Sequence, residues 1–280
     1  MKTLGYYNGK FGPLDEMMIP MNDRVSYFGD GVYDATLARN YKIFAIDEHI
    51  DRIYNSAGLL KIQIPCTTQE MKDLLYEMVN KMETGDLFVY WQVTRGTAPR
   101  NHAFPDVPAN LWIMLKPAGL KDPNVKIKLT EMEDTRFLHC NIKTLNLLPS
   151  VMASQKAEEL GCQETILHRG DRVTECAHSN VHIIQDGILK TAPTDNLILP
   201  GIARAHLIKM CKKVGIPVNE TPYTMKELMA ADEVIVTSSS QLCLTASEVD
   251  GVPVGGKRPD LIKMLQDELY TEFYNETAAE

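Results

Sequence analysis

The chain has little of what would send it outside the cell, into a bilayer or onto a charged polymer. Its six cysteines (Cys66, Cys140, Cys162, Cys176, Cys211 and Cys243) include no Cys-x-x-Cys pair, and no apolar signal segment follows Met1. Both absences point to a reduced, cytoplasmic setting. No hydrophobic run is long enough to cross a membrane, because the stretches near Leu111 and Leu147 are broken by Lys116 and Pro149. Clusters of lysine and arginine are missing too. With a net charge of -8, the surface suits neither nucleic acid nor anionic lipid, and small molecules are the expected partners. Internal repeats and low-complexity segments are also lacking.

What is present is an ordinary globular composition, 44% hydrophobic and 24% charged over 280 residues, enough for two cores. Residues 1–118 read as a small α+β domain. Asn8-Gly9 marks a hairpin turn, a second hairpin spans Val32 to Ile46 with its turn near Asn40, and Asp47 caps a helix burying Ile50, Ile53, Tyr54 and Ala57. Thr67 and Glu70 form a capping box before a second helix, and the runs at Leu87–Thr94 and Leu111–Leu115 are strands. Residues 119–123 read as a linker. Residues 124–280 read as a larger domain with turns at Gly170-Asp171 and Asp186-Gly187, a helix from Gly201 to Gly215, a box at Thr224 and Glu227, a strand at Glu233–Thr237 and a terminal helix opened by Pro259.

Lys143 is the most informative residue. It stands in Cys140-Asn141-Ile142-Lys143-Thr144-Leu145-Asn146-Leu147-Leu148, where apolar neighbours disfavour the ammonium form and free the amine to attack a carbonyl, as a Schiff-base lysine must. Val173-Thr174-Glu175 supplies a carboxylate. The amides of Gly201, Ile202 and Ala203 at a helix start, the hydroxyls of Ser238-Ser239-Ser240 and the planar fork of Arg52 are anion donors. Together they make up the parts of a pyridoxal phosphate site. Other constellations explain themselves structurally. His178 and His182 lie in a strand-like stretch without a third ligand, so no metal is expected, and Met71, Met78 and Met82 suit a packed helix face. Cys176 suits a small buried residue.

The segments Phe28-Gly29-Asp30-Gly31-Val32-Tyr33, Glu48-His49-Ile50-Asp51-Arg52, Thr94-Arg95-Gly96, Ile142-Lys143-Thr144-Leu145-Asn146 and Val173-Thr174-Glu175 resemble those of the class IV (fold type IV) pyridoxal phosphate aminotransferases, over nearly the whole chain. The resemblance implies two α/β domains, a homodimer with shared sites, and pyridoxal 5'-phosphate as cofactor. It implies that Lys143 carries the cofactor and moves the proton, that Glu175 pairs with the ring nitrogen, that Arg52, Ile202, Ala203, Ser238 and Ser239 hold the phosphate, and that Leu199 lies against the ring. Arg100-Asn101-His102 after Thr97-Ala98-Pro99 resembles the substrate-carboxylate loop of members acting on D-amino acids. Arg100 and His102, with the Tyr33 hydroxyl, would then grip a D-alanine-like substrate, and 2-oxoglutarate or pyruvate would accept the amino group.

Several positions depart from the family pattern: Cys176, Ala177 and His178 replace small hydroxyl residues, Ala203 replaces a threonine at the helix start, and Asp34 replaces a glutamate, shortening a carboxylate expected near the substrate mouth. The competing readings are a branched-chain L-amino acid aminotransferase or an aminodeoxychorismate lyase of the same fold, against which Arg100 and His102 weigh. A non-catalytic cofactor-binding homologue is the remoter one, against which the presence of both Lys143 and Glu175 weighs.

Overall fold

Asn8 and Gly9 both take positive φ, 44° and 90°, the turn geometry that matches the twist of a two-residue hairpin. They join β1 (Leu4–Tyr7) to β2 (Lys10–Gly12), with Tyr6 opposite Phe11. The computed structural model describes residues 2–279 and divides into two compact units. The first comprises Met1–Gly119, Ile142–Asn146 and Phe273–Glu280, the second Leu120–Asn141 and Leu147–Glu272.

In the first unit, α1 (Arg24–Phe28) precedes β3 (Gly31–Arg39), which turns at Asn40 and Tyr41 into the short β4 (Lys42–Ile43). Then follow α2 (Ile46–Leu59), α3 (Thr68–Val79), β5 (Leu87–Thr94) and β6 (Asn110–Pro117). The strands form one antiparallel sheet in the order β2-β1-β6-β5-β3-β4. Alternation along β5 and β6 sends Val89, Trp91, Val93, Ile113 and Leu115 into a core with Ile50, Ile53 and Ala57 of α2 and Met71, Leu75 and Met78 of α3. Tyr90 and Trp112, on the opposite face, are only half-buried.

The second unit contains β7 (Ile127–Glu133), α4 (Leu148–Glu159), β8 (Glu164–Arg169), β9 (Arg172–Cys176), β10 (Asn180–Gln185), β11 (Ile188–Thr191), α5 (Ile202–Val214), β12 (Val218–Asn219), α6 (Met225–Ala230), β13 (Glu233–Thr237), β14 (Leu244–Val249) and β15 (Val252–Pro253). Its sheet runs β12-β11-β10-β13-β14-β7-β8-β9, with β15 on β14. The last helix, α7, spans Pro259–Glu276. Both capping boxes form as the sequence predicts, and Gly215 ends α5 in the left-handed conformation.

Three local expectations change. Asp47 is not the cap of α2, which starts at Ile46 behind a left-handed Ala45, whose amide donates to Glu276 Oε1 at 2.7 Å. Asp47 instead lies in the first turn, where it meets Lys72 Nζ at 2.6 Å. The second hairpin is correspondingly shorter, since Ile46 is already helical. Strand β7 and helix α4 lie in stretches given no element from sequence. Pro149 does more than interrupt an apolar run, since it occupies the first turn of α4, where a missing N–H costs nothing.

The unit boundary falls at Gly119, yet residues 142–146 and 273–280 belong with the first unit instead of the second. The physical reason lies at the edge of β3. Strand β4 pairs only with Ala38 and Arg39, so the start of that edge is open. Thr144 bridges Val32 there, while Tyr33 N donates to Lys143 O and Leu145 N to Gly31 O, each at 3.0 Å. At the chain end, Phe273 packs on Phe44 with ring centroids 5.0 Å apart, both buried. Phe273→Ala is expected to destabilise the first unit by about 3 to 5 kcal/mol. Both tryptophans, Trp91 and Trp112, lie in this unit, so urea unfolding followed by their fluorescence checks the value.

Candidate active site

Lys143 is pinned through its own backbone. Its carbonyl accepts from Tyr33 N, and its amide donates to the buried Ser56 Oγ at 3.2 Å. This fixes which way alternate side chains leave the segment: Ile142 enters the core, and Lys143 takes the other side, half-buried, with Nζ 4.3 Å from the Tyr33 ring centroid. The amine is therefore not enclosed by its apolar sequence neighbours. It stands over an aromatic face, backed by Tyr90 stacked on Tyr33 at 5.4 Å and Trp112 against Tyr90 at 5.2 Å.

Asp34, a carboxylate expected near the substrate mouth, is fully buried. Its Oδ2 accepts from Arg52 Nε at 2.8 Å and its Oδ1 from Arg52 Nη2 at 2.7 Å, and Oδ1 also lies 2.7 Å from His49 Nδ1. Burial alone would raise the Asp34 carboxyl, but the charges of Arg52 and His49 outweigh it and hold it far below the usual carboxylate range. Burial is also the main cause of the lowered His49 imidazole, with Asp34 opposing. Arg52, the expected phosphate residue, is thus aimed by a bidentate grip from behind. In the 100–104 loop, Arg100 and His102 are exposed and share the Phe28 ring, at 5.3 Å for Arg100 Cζ and 5.2 Å for the His102 ring. No contact joins either of them to Tyr33 among the described residues.

In the second unit, Glu175 near the end of β9 is buried. Its Oε1 takes Arg136 Nη1, and its Oε2 takes Asn180 Nδ2 at 2.9 Å and Leu199 N at 3.1 Å. Burial raises this carboxyl to about 7 against the pull of Arg136. Leu199 thus meets Glu175 through its backbone, and its carbonyl accepts from Asn180 Nδ2 at 3.1 Å. Next in sequence, Gly201 precedes α5, which has no side-chain cap, so the amides of Ile202 and Ala203 lack intrahelical partners. A Cβ at Gly201 would lie 2.0 Å from Asn180 Oδ1. After β13, Ser238 Oγ meets Ser240 Oγ at 3.3 Å, with Ser239 half-buried between them.

Arg136 and Asn180 went unread in the sequence. Arg136 is locked by Asp134, which takes Nε at 2.9 Å and Nη2 at 2.8 Å. An Asp-x-Arg spacing signals none of this without the fold. His178, exposed, is paired with the buried Glu164 at 2.9 Å, which raises its imidazole. His182 is bonded to Thr191 and Thr237 hydroxyls at 2.8 and 2.9 Å, and burial pushes it down to about 3. The Cys176 thiol is raised well above its usual range by burial. Each unit taken by itself offers parts that pyridoxal phosphate uses: an amine at Lys143 and an oriented guanidinium at Arg52 in the first, a buried carboxylate at Glu175 and uncapped amides at the start of α5 in the second.

A family model described as amino-transferase class IV matches residues 31–249. The D-alanine aminotransferase of Listeria monocytogenes serotype 1/2a is 42% identical over 261 residues, covering 90% of this chain and 89% of its own. That of Bacillus licheniformis is 37% identical over 284 residues, covering 99% of each. Among solved structures, the branched-chain amino acid aminotransferase of Escherichia coli matches with a TM-score of 0.90 at 22% identity, over 99% of this chain and 96% of that one. The branched-chain aminotransferase of the thermophilic archaeon Thermoproteus uzoniensis, solved with norvaline, matches at 0.88 and 22% identity, over 99% and 95%. At such identities the structural likeness shows the fold.

The raised carboxyl of Glu175 sets a pH dependence whose sign is fixed by linkage. Protonated Glu175 favours the folded state, so its contribution is complete below about pH 4.5 and is lost as pH rises through about 7. In cofactor-free protein, stability relative to Glu175→Gln should fall by roughly 3 kcal/mol between pH 4.5 and 8, measured by urea unfolding with circular dichroism. Parallel pH profiles would mean that Arg136 keeps Glu175 ionised throughout.

Proposed function

Because the chain belongs to the amino-transferase class IV family, we propose that it is a pyridoxal phosphate-dependent transaminase, moving the amino group of a D-amino acid of the D-alanine type to 2-oxoglutarate or pyruvate. The observation that carries this reading is Glu175, a buried carboxylate raised to about 7 and furnished with donors from Asn180 and Leu199. A carboxylate so placed favours a cationic partner and suits a protonated ring nitrogen. Likeness to D-alanine aminotransferases over nearly the whole chain supplies the substrate class.

When bound, pyridoxal phosphate supplies the electron sink into which the electrons of the substrate Cα–H bond flow. The chain's own residues do the rest. Lys143 Nζ would anchor the cofactor and would hold and move the substrate's α-proton as general base and then acid. Arg52, the Ile202 and Ala203 amides, Ser238 and Ser239 would hold the phosphate, Leu199 would lie against the ring, and Glu175 would keep the ring nitrogen protonated. Ala203 offers its amide but no hydroxyl. Arg100, His102 and the Tyr33 hydroxyl take the substrate carboxylate. With Cα–H fixed toward Lys143, the two enantiomers differ by exchanging carboxylate and side chain, so the carboxylate grip selects the D hand.

The protein acts as a homodimer in which the 100–104 loop of one subunit serves the lysine of its partner. Exposed apolar side chains support a covered surface: Met18, Met21 and Phe104 in the first unit, and Leu148, Val151 and Met152 along α4 in the second. Its place is the cytoplasm, consistent with six free cysteines. No helix among the described residues is long and apolar enough to cross a membrane.

Cofactor-loaded protein should release pyruvate from D-alanine with 2-oxoglutarate as acceptor, and Lys143→Ala should abolish this. Preference for L-leucine or L-valine would shift the assignment to a branched-chain enzyme. The shared site has its own test, in which Lys143→Ala and Arg100→Ala proteins, each nearly inactive at the low D-alanine concentration of the assay, are unfolded and refolded together. Mixed dimers, about half of the total, then regain one intact site of two, so activity should return to roughly a quarter of wild type. Absence of recovery with mixed dimers demonstrated by differential tags would place the loop in its own subunit's site.

A further inference from the structure

The loop that carries Arg100 and His102 is tied down by residues with no assigned part in the reaction. At its base, Asp23 is fully buried and accepts from Thr94 Oγ1 at 3.1 Å and Asn110 Nδ2 at 2.8 Å. Asn110 also reaches Thr97 Oγ1 at 2.9 Å. Toward its tip stands Arg24, only 2% exposed. Arg24 Nη1 donates to Asn101 O at 2.5 Å and lies 3.4 Å from Ala103 O, while Nη2 lies 3.5 Å from His102 O. Its Nε is fixed on Asp30 Oδ2 at 2.7 Å. Asp30 also holds Arg95 Nε, at 3.0 and 2.9 Å to its two oxygens, and Arg95 Cζ covers the Phe104 ring at 3.6 Å. Arg24 further lies 4.8 Å from Phe28, the ring that Arg100 and His102 share.

Three successive loop carbonyls therefore face one buried guanidinium, while the side chains of Arg100 and His102 are left exposed. A planar head with five N–H donors can serve Asp30 and several carbonyls at once, whereas a lysine ammonium has three donors on a point charge. We propose that Arg24, oriented by Asp30, is a positioning residue that presents Arg100 and His102 to the substrate carboxylate. This rests on the carboxylate grip proposed above. Arg24 spends its donors on Asp30 and the loop carbonyls, so its loss weakens carboxylate recognition without altering the chemistry at Lys143.

The experiment compares wild type, Arg24→Met, Arg24→Lys and Arg100→Ala, all loaded with cofactor. Conversion of the cofactor chromophore is followed with D-alanine and with ethylamine, which has the amine but no carboxylate. Inhibition by propionate, which has the carboxylate alone, is measured alongside. For Arg24→Met the half-saturating D-alanine concentration and the propionate inhibition constant should both rise about 10- to 100-fold, the range for a lost hydrogen bond to a charged group, while the maximal rate changes less than about 3-fold. Ethylamine conversion should stay within about 2-fold of wild type, and Arg24→Lys should fall between wild type and Arg24→Met. Equal losses with D-alanine and ethylamine would show a merely structural role and overturn the proposal. So would normal D-alanine saturation in Arg24→Met when Arg100→Ala raises it. If Arg100→Ala itself leaves D-alanine saturation unchanged, the carboxylate grip has failed instead. Should Arg24→Met not fold, Arg24→Lys decides: a rise of about 3-fold or more confined to carboxylate-bearing ligands supports the proposal, and no rise overturns it.

Discussion

Everything proposed for Lys143 depends on one short pairing. The segment 142–146 fills the half of the β3 edge that β4 leaves open, with two backbone hydrogen bonds and the Val32–Thr144 bridge. The pairing sets the register, and the register decides which side chain enters the core. Shifting it by one residue would bury the amine and expose Ile142. The same bonds put Lys143 beside Tyr33, so the amine proposed to carry the cofactor and the hydroxyl proposed to meet the substrate are fixed relative to one another by the main chain.

Around that pairing, charge is handled in a repeated way. Asp34, Asp134 and Asp30 each aim one or more arginines, the first two from complete burial and Asp30 from near it. A buried ion pair contributes little net stability, because desolvation offsets much of the attraction. What it does provide is direction: a guanidinium held on two sides loses its rotamer freedom before any ligand arrives. Arg52, Arg136 and Arg24 are all prepared in this manner.

How much of this could be read in the sequence follows the range of the signals. Turns and caps are local, so Asn8-Gly9, Asp186-Gly187, Thr67 with Glu70 and Gly215 were legible. Lys143, Glu175 and Arg52 were legible as residue types in recognisable settings. The burial of Asp34 was not legible because a strand residue beside a tyrosine gives no sign of which face is buried, and only His49 and Arg52 from α2 reveal it. Arg136, Asn180 and Arg24 act across separations of 39, 5 and 77 residues, and no local pattern marks such partners. Helix α4 was missed because its apolar residues do not lie along one face directed at the core, and several are exposed.

The close approach of Gly201 to Asn180 joins two positions into one heritable unit. A methyl group at 201 would overlap the Asn180 amide oxygen at 2.0 Å, and moving that side chain would withdraw a donor from Glu175. Change at either position is therefore conditional on the other: a lineage could acquire a side chain at 201 only after 180 had become smaller, and by then Glu175 would need another donor.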